Sequence, residues 1–429
     1  MVGRNLKDLP FMLYADSKGR VYEHPFYRMI GFLGESPEIV KEDDLIPMPE
    51  YSKLFYLPNC APMGLDPVTG EIKSIREIEV GGEVTKCYGV AAFLEPGFVR
   101  THLPAVDYSE KGYCLPMWAY TAVGFKDDKY WVAGFRIEYN KAWDPRYFDD
   151  KELIPAIQKY QSRHGEGPLL KHLVGCATKN HCFAAKNLFL ERWEAPMPVS
   201  QACNAECLGC LSFQNEGFCE PSHERISFRP SKKEIVSIAV NHLEKAPAAI
   251  ISFGQGCEGE PLTEAGLIEE SIEEIRKQTP RGTINLNTNG SQPEKVRAIA
   301  ESGLDSIRIS LNSARAGFYR AYYRPRGYDL EDVIESISLS RKLGLYTMLN
   351  YLVFPGITDQ KAEIKALTDL VKKTGVNFIH LKNLNIDPEL YLEKMPRVDS
   401  PAVGLKNMLA LLKEELPSVE FGYFNKTVR

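Results

Sequence analysis

Long apolar runs and an excess of positive charge are both missing from this sequence of 429 residues. No uninterrupted apolar run approaches the ~20 residues that a membrane-spanning helix requires, and residues 1–8 lack the apolar core of a signal peptide. The net charge is −5, whereas nucleic acid or an anionic membrane surface favours a partner with a basic face. We therefore expect a cytoplasmic protein with neither a nucleic-acid partner nor a membrane partner.

Cysteine is too sparse for a disulfide scaffold, because only ten cysteines are spread over the chain and a reducing compartment disfavours such bridges. The cysteines are nevertheless unevenly placed. Five precede residue 190, and the other five crowd into 55 positions: Cys203, Cys207, Cys210, Cys219 and Cys257. In a reducing compartment this crowding indicates metal ligation rather than structural bridging.

Three of these cysteines form a motif with three and then two residues between them: Cys203, Cys207 and Cys210. Thiolates at this spacing can converge on one metal centre from a short loop. Three ligands are one fewer than a structural zinc site or an ordinary four-iron cluster uses. A four-iron cluster held by three thiolates leaves one iron open to a reactive molecule. A zinc loop would instead need a fourth ligand, such as Cys219 or His223.

The first part of the chain differs in composition from the rest, since residues 1–195 contain all four tryptophans. At roughly 150 residues per domain, the chain should hold about two or three domains. The turn signals and β-prone runs of this first part predict hairpins over 11–22 and 120–137, a helix over 149–163, and Pro- and Gly-rich loops over 58–70 and 96–104. We expect an α+β domain over residues 1–195.

From about residue 196 the pattern changes to a regular alternation of β-prone and helix-prone segments. The predicted strands are 198–202, 248–253, 283–287, 306–311, 346–353 and 377–381. The predicted helices begin at a capping box at Ser231 and at Thr263, and then cover 293–302, 330–343, 360–374 and 402–416.

Strands separated by helices pair in parallel through right-handed crossovers, and six such units make three-quarters of an eight-fold barrel. The predicted fold class is α/β, a partial (β/α)6 TIM-like barrel over 196–395 preceded by the α+β domain. Residues 396–429 would add a helix and a tail that pack on the barrel. Parallel barrels carry their chemistry at the C-terminal ends of the strands, and the cysteine motif follows the first predicted strand directly.

The ends of the next three predicted strands also carry chemistry. Residues 253–262 are dense in glycine, which lets backbone approach a ligand closely, and include acids that can pair with a cationic group. The alternative for this segment is a tight turn with a proline at the start of a helix. Polar side chains that suit ribose hydroxyls end the third and fourth strands: Thr288, Asn289, Ser310 and Asn312. An ordinary Asn-Gly turn is the alternative for Asn289.

This order of motifs resembles the radical S-adenosylmethionine (radical SAM) superfamily over roughly residues 196–385. The resemblance implies that Cys203, Cys207 and Cys210 bind a [4Fe-4S] cluster whose open iron takes S-adenosylmethionine (SAM). It also implies that SAM is cleaved reductively to a 5′-deoxyadenosyl radical, which abstracts hydrogen from an organic or peptide substrate.

The resemblance further assigns contacts to SAM. The backbone at Gly259 and the Glu260 region would hold the methionine amino group. The ribose and the carboxylate would contact Thr288, Asn289, Ser310 and Asn312, and Val353 would pack near adenine. Arg324 could also bind the carboxylate, because a planar guanidinium suits that group; solvation at the surface is the alternative.

Two positions depart from the family pattern. Glu258 replaces the first glycine of the superfamily's Gly-Gly-Glu-Pro motif, and Gly209 stands where an aromatic residue usually packs near adenine. The second departure puts the adenine contact in doubt, and Leu208 or Phe213 would have to fill that space.

An auxiliary iron–sulfur cluster, a common addition in this superfamily, is the other metal centre that we consider. Its candidate ligands are Cys176 and Cys182, completed by Cys219, Cys60, Cys87 or Cys114. The alternative is that these cysteines are small buried hydrophobic residues. For Cys257 we favour the interpretation that its side chain packs without reacting.

We therefore predict a radical SAM enzyme that receives electrons from a donor such as flavodoxin or ferredoxin. Residues 1–195 would form an accessory domain that binds the substrate. The reaction stays open among oxidoreductase, lyase and transferase chemistry. The alternatives from other classes are a non-catalytic iron–sulfur electron-transfer protein and a zinc-bound interaction module.

Overall fold

The structure, a computed structural model, describes residues 6–214, 219–397 and 400–429. The chain divides into two compact units. One comprises residues 1–138, 353–365 and 382–415, and the other comprises residues 139–352, 366–381 and 416–429. These units follow other boundaries than the sequence-based division at residue 195, which stays a prediction.

The first unit is built mainly from antiparallel strands. Its strands are β1 (Phe11–Ala15), β2 (Val21–Arg28), β3 (Gly31–Leu33), β4 (Ser36–Glu38), β5 (Leu45–Pro47), β6 (Lys53–Leu57), β7 (Ala61–Leu65), β8 (Ile72–Ser74), β9 (Glu77–Val80), β10 (Glu83–Lys86), β11 (Tyr88–Phe93), β12 (Phe98–Arg100), β13 (Leu103–Pro104), β14 (Val106–Asp107), β15 (Val123–Lys126) and β16 (Lys129–Arg136). Eleven of them form one sheet, whose main path runs β12-β16-β15-β1-β2-β7-β14.

Both predicted hairpins of this unit are confirmed. Strands β1 and β2 pair antiparallel, and so do β15 and β16, with Lys126 opposite Lys129. The turn of the second hairpin consists of Asp127 and Asp128, whose φ angles are 51° and 56°. Aspartate tolerates this left-handed conformation better than most residues do, and two such residues in sequence match the right-handed twist of the flanking strands.

The two predicted loops of this unit are wrong in part. Residues 58–70 contain β7, and residues 96–104 contain β12 and β13. Strand β7 pairs with β2, β8 and β14, so pairing with other segments overrides the local turn signals of proline and glycine.

The second sheet has seven strands in the order of the sequence. They are β17 (Glu194–Pro196), β18 (Ile250–Phe253), β19 (Thr283–Thr288), β20 (Ser306–Leu311), β21 (Tyr346–Val353), β22 (Phe378–Asn383) and β23 (Glu420–Gly422). The pairs from β17 to β21 and the pair β22–β23 are parallel. Among the described residues β17 and β23 end this sheet, which is therefore open.

Helices precede and separate these strands. They are α1 (Asp150–His164), α2 (Pro168–Thr178), α3 (Phe183–Phe189), α4 (Lys232–Lys245), α5 (Ala265–Gln278), α6 (Pro293–Glu301), α7 (Ala316–Tyr323), α8 (Leu330–Lys342), α9 (Lys361–Thr374), α10 (Pro388–Lys394) and α11 (Leu405–Glu415). The α/β class with parallel strands is thus confirmed, as is the predicted helix over 149–163. None of the helices within the described ranges combines the length and apolarity needed to cross a membrane.

The first and last strands of this sheet differ from the prediction. The first strand is β17 and not 198–202, because the backbone N–H groups of Val199 and Ser200 donate to the Glu258 carboxylate instead of to a neighbouring strand. The three-residue strand β23 was not predicted, since it is too short to show a periodic pattern.

A chain of hydrogen-bonded, buried polar side chains fixes the register of neighbouring strands. Ser252 on β18 donates to Glu194 on β17 at 2.5 Å, and Asn285 on β19 donates to the Ser252 hydroxyl at 3.2 Å. Ser306 on β20 donates to the side-chain amide oxygen of Asn285 at 2.9 Å. Each strand therefore carries one member of a satisfied hydrogen-bonded chain.

The predicted capping box at the start of α4 can be tested by mutation. Ser231 Oγ accepts from the Glu234 N–H, and the Glu234 carboxylate accepts from the Ser231 N–H at 3.1 Å. Ser231→Ala should lower the free energy of unfolding by about 1 kcal/mol, because it leaves a helix N–H without its acceptor. Urea unfolding followed by circular dichroism measures this change.

The matched control is Ser237→Ala in the same helix, where the serine is exposed in the helix interior. Alanine is the better helix former there, so stability should stay equal or rise by up to about 0.5 kcal/mol. Equal losses in the two variants would contradict the capping role of Ser231.

Candidate active site

The cysteine motif lies on an irregular loop that follows β17. Its thiols are free and partly exposed, whereas Cys176 and Cys257 are buried. Burial raises the pKa of Cys203 to about 11, and burial together with the neighbouring Cys210 and Cys203 raises the pKa of Cys207. The three thiols thus share one electrostatic environment, as ligands of one centre would.

The segment that follows α7 holds this loop in place. The N–H of Glu206 donates to the Tyr323 carbonyl at 3.0 Å, and the N–H of Leu208 donates to the Tyr322 carbonyl at 2.9 Å. Arg324 has left-handed backbone with φ of 45°, and its Nε donates to the Glu206 carbonyl at 2.5 Å. The structure therefore places Arg324 against the loop backbone, where it fixes the conformation of the loop.

Arg225 was missed by the sequence analysis, because a lone arginine in an irregular segment carries no motif. Its Nη2 lies 3.5 Å from Cys210 Sγ, and its Nε donates to the Ser212 hydroxyl at 3.1 Å. The guanidinium also lies over the ring of Phe213, 5.0 Å from the centroid. Arg225 therefore contacts the third cysteine of the motif directly.

Glu258 links two loops at the edge of the parallel sheet. Its carboxylate accepts four backbone N–H bonds, from Val199 at 2.8 Å, Ser200 at 3.0 Å, Gly254 at 2.8 Å and Gln255 at 2.7 Å. Burial raises the pKa of Glu258 to about 7, and these donors act in the opposite direction. The acid that replaces the family's glycine therefore ties the segment before the cysteines to the end of β18.

Gly259 makes a close backbone contact that a side chain would prevent. Its N–H donates to the Ser200 carbonyl at 2.8 Å, and the N–H of Glu260 donates to the Ala202 carbonyl at 2.8 Å. A Cβ atom at position 259 would lie 2.0 Å from the Ala202 oxygen. The glycine thus brings the loop that follows β18 against the residue that precedes Cys203.

Glu260 lies at the centre of a polar network. Its carboxylate accepts from the Thr288 hydroxyl, from the Asn289 N–H at 2.8 Å and from the Leu262 N–H at 3.1 Å. The Asn289 amide donates to the Asn204 side chain at 2.8 Å. Burial raises the pKa of Glu260 to about 7, while the hydrogen bonds lower it. Three predicted site residues, Glu260, Thr288 and Asn289, are thus brought together with the cysteine loop.

The comparison with known proteins follows this geometry. The family model of the Radical SAM superfamily matches residues 197–371. That range contains the cysteine loop, Gly259, Glu260, Thr288 and Asn289.

Residues 197–371 form a radical SAM domain.

Relatives share this domain with the chain. The protein named GTP 3′,8-cyclase of Alkaliphilus oremlandii (strain OhILAs) is 29% identical over 186 residues, which cover 43% of this chain and 54% of the relative. The one of Listeria welshimeri serovar 6b is 29% identical over 205 residues, which cover 46% of this chain and 53% of the relative. The chain therefore spans about half the length of these curated relatives.

Among solved structures, the FeFe-hydrogenase maturase HydG from Carboxydothermus hydrogenoformans is similar with a TM-score of 0.37 and 17% sequence identity. The alignment covers 63% of this chain and 65% of that chain.

The residues of the radical SAM domain fit the cofactors of this superfamily, a [4Fe-4S] cluster and SAM. Three free, partly exposed thiols on one loop are a donor set for such a cluster. Two buried amide oxygens, Asn312 Oδ1 and Asn350 Oδ1, have no hydrogen-bond partner within the described ranges. Because an unsatisfied buried acceptor is costly, both atoms are suited to hydroxyl or ammonium donors of a bound molecule.

The other predicted polar residue of these strand ends, Ser310, contacts one of these amides. Its hydroxyl accepts from Asn350 Nδ2 at 3.3 Å, while Asn312 Nδ2 donates to the Phe318 carbonyl at 3.2 Å. Both asparagines therefore have a fixed amide orientation that leaves the oxygen without a partner.

The two residues considered for the space next to Gly209 differ in burial. Leu208 is 1% exposed, whereas Phe213 is 52% exposed. Which of them contacts adenine stays a prediction.

The cysteines considered for an auxiliary cluster lie in different settings. Cys176 on α2 lies 3.5 Å from His172 Nε2 and belongs to a close group with Cys257, and the N–H of Cys182 donates to the Cys176 carbonyl at 3.0 Å. Cys219 and Cys114 are disulfide-bonded in this structure. The ligand set of an auxiliary cluster stays a prediction.

The contact at Gly259 can be tested by adding one methyl group. Gly259→Ala should lower the iron content after anaerobic reconstitution by about half or more and destabilise the fold by about 2 kcal/mol, because the added Cβ displaces backbone next to Cys203. Iron counting and urea unfolding measure the two effects.

Gly266→Ala on α5 is the matched control, since a Cβ there would meet nothing within 4 Å. This change should leave the iron content unaltered and could stabilise the helix by up to about 1 kcal/mol. Normal iron content in Gly259→Ala would contradict the role assigned to the close contact.

Proposed function

We propose that the protein is a radical SAM enzyme that acts on an organic or peptide substrate. Cys203, Cys207 and Cys210 would hold a [4Fe-4S] cluster, and SAM would occupy the adjoining strand ends. When bound, the cluster supplies the single electron that cleaves SAM reductively, so that a 5′-deoxyadenosyl radical can remove a hydrogen atom from the substrate. The observation that carries this proposal is the hydrogen-bonded connection from the cysteine loop through Asn204 to Asn289 and Glu260.

The residues of the chain have separable tasks in this proposal. Arg225 would orient the Cys210 side chain through its contact with Sγ, and Glu258 would keep the loop after β18 in place for Gly259 and Glu260. The amide oxygens of Asn312 and Asn350 would accept hydrogen bonds from polar groups of SAM, as would the hydroxyl of Ser310. Arg324 keeps its contact with the loop carbonyl, and any contact with the SAM carboxylate would be additional.

The fold supports this proposal through the order of its strands. Consecutive parallel strands separated by helices bring their C-terminal ends to one edge, where the reactive groups of such folds lie. We infer that the open sheet is the partial (β/α)6 TIM-like barrel predicted for residues 196–395, extended by β23. An accessory role of residues 1–195 in substrate binding remains part of the proposal.

The substrate and the electron donor also remain proposals. Relatives that share about half their length with this chain are named GTP 3′,8-cyclase, so GTP is the first small molecule to assay. A reduced flavodoxin or ferredoxin is the proposed electron source, and dithionite can replace it in the test.

The decisive experiment is anaerobic reconstitution with iron and sulfide, followed by reduction in the presence of SAM. The wild-type protein should bind about four irons per chain at this motif and release 5′-deoxyadenosine, which mass spectrometry detects. The triple variant Cys203→Ala, Cys207→Ala, Cys210→Ala should lose both properties, because no other described thiols share this loop.

The double variant Cys60→Ala, Cys87→Ala is the control and should retain both properties, since these thiols are buried in the other unit. A colourless protein that binds zinc at the triple-cysteine loop would favour the interaction module. A cluster that is reduced but never cleaves SAM would favour electron transfer. Either outcome contradicts the proposal.

The unpaired amide oxygen of Asn350 gives a separate test of SAM binding. Asn350→Leu should weaken SAM binding to the reconstituted protein by about tenfold, which corresponds to the loss of one hydrogen bond. The fold should lose little stability, because the amide oxygen has no protein partner and the amide nitrogen makes one long hydrogen bond, to the Ser310 hydroxyl at 3.3 Å. Equilibrium dialysis with labelled SAM gives the dissociation constant.

Asn285→Leu provides the contrast, because the Asn285 amide is fully paired with Ser252, Asn287 and Ser306. That change should destabilise the fold by about 2 kcal/mol by leaving buried partners unsatisfied. If Asn350→Leu bound SAM as tightly as the wild type, this residue would not contact the cofactor.

A further inference from the structure

A second group of metal-binding side chains lies outside the cysteine loop. His172 and Cys176 are four residues apart on α2 and therefore lie on one face of that helix. Cys257 comes from the loop that follows β18. The ligand atoms of these three residues all lie within 4.8 Å of one another, and Cys176 Sγ lies 3.5 Å from His172 Nε2.

These separations match a single metal ion. In a tetrahedral site with metal–nitrogen bonds of about 2.0 Å and metal–sulfur bonds of about 2.3 Å, two ligand atoms lie roughly 3.5 to 3.8 Å apart. A four-iron cluster instead binds each thiolate at a different iron and keeps the sulfurs further apart. Thiolate and imidazole ligands in a tetrahedral arrangement are typical of zinc.

Cys182 is the candidate for a fourth ligand. The backbone turns back after α2, with φ of 50° at His181, and the N–H of Cys182 donates to the Cys176 carbonyl at 3.0 Å. The Cys182 thiol is free but is not among the ligand atoms that lie within 4.8 Å of one another, so its side chain would have to change rotamer to reach the ion. We propose that His172, Cys176 and Cys257 hold one zinc ion, with Cys182 as the fourth ligand.

Such an ion would join two separate parts of the chain. Cys257 directly precedes Glu258, and its carbonyl accepts from the N–H of Ile226 at 2.8 Å, next to Arg225, which contacts Cys210. Zinc would therefore fasten α2 to the loop that carries Gly259 and Glu260. With four protein ligands it would have no open position, so its role would be structural. This inference does not require that the protein cleave SAM.

Metal analysis of the purified full-length protein tests the proposal. Wild-type protein should contain about one zinc ion per chain after dialysis against a weak chelator, as a closed structural site does. The triple variant Cys203→Ala, Cys207→Ala, Cys210→Ala should keep this zinc, which separates the new site from the cysteine loop. The zinc content of Cys176→Ala and of Cys257→Ala should fall by about tenfold or more, because each variant keeps only three of the four ligands that a structural zinc site uses.

The control variant is Cys60→Ala, which removes another buried free thiol and should leave the zinc content unchanged. Circular dichroism of each variant shows whether it has folded. Zinc lost from the triple variant, zinc retained in Cys176→Ala, or a wild-type protein that takes up no zinc would each overturn the proposal.

X-ray absorption at the zinc edge of the triple variant tests the ligand set without altering it. We expect three sulfur atoms at about 2.3 Å and one nitrogen at about 2.0 Å. Two sulfurs and two nitrogens would overturn the place given to Cys182. Iron with iron–iron scattering in this variant would instead assign an auxiliary iron–sulfur cluster and overturn the zinc site.

Discussion

The candidate active site depends on two buried carboxylates that organise the backbone around them. Glu258 accepts four backbone N–H bonds from two loops, and Glu260 accepts bonds from the ends of two further segments. Burying a carboxylate is costly unless donors surround it, so each acid forces those loops to converge. The irregular backbone at Val199, Ser200 and Asn289 is thus held by side-chain acceptors instead of by hydrogen bonds to a neighbouring strand.

The parallel sheet, in turn, places these loops next to one another. Strands β17 to β21 follow one another in parallel order, so the loops that leave their C-terminal ends are neighbours in space as well as in order. The cysteine loop, the segment around Gly259 and the Thr288–Asn289 turn occupy successive positions along this edge. The motif order read from the sequence is therefore the physical consequence of sequential strand pairing.

Much of the parallel sheet could be predicted from the sequence, because its strands are buried runs with helices of clear period between them. The predicted strands 306–311 and 346–353 coincide with β20 and β21. The first strand was misplaced because the acceptor for the Val199 N–H comes from Glu258, a residue 59 positions away. A local sequence pattern does not indicate a hydrogen-bond partner that lies so far away in the chain. Helix α7 was not predicted, although Tyr319 and Tyr323 stack one turn apart with centroids separated by 4.6 Å.

The sequence suggests which residues to propose for the site, but it does not show their contacts. Glu260, Thr288 and Asn289 were selected as ligand contacts, and in the structure they bind one another. Arg324 was chosen for its guanidinium, whereas its left-handed backbone at the end of α7 is what aims the side chain at the cysteine loop. Arg225, which contacts Cys210, has no sequence signal because only the fold brings it to that sulfur.

Environment, more than spacing, separates the tasks of the cysteines. Burial raises the pKa of Cys60 to about 12 and that of Cys87 to about 11, but it also raises the pKa of Cys203 to about 11, so burial alone does not separate packing thiols from those of the cysteine motif. Hydrogen bonds from Cys257 and His172 lower the pKa of Cys176, although that thiol is buried too. The proposed ligands are instead those cysteines that have a cation, an imidazole or another thiol within reach, and the sequence alone does not show which cysteines these are.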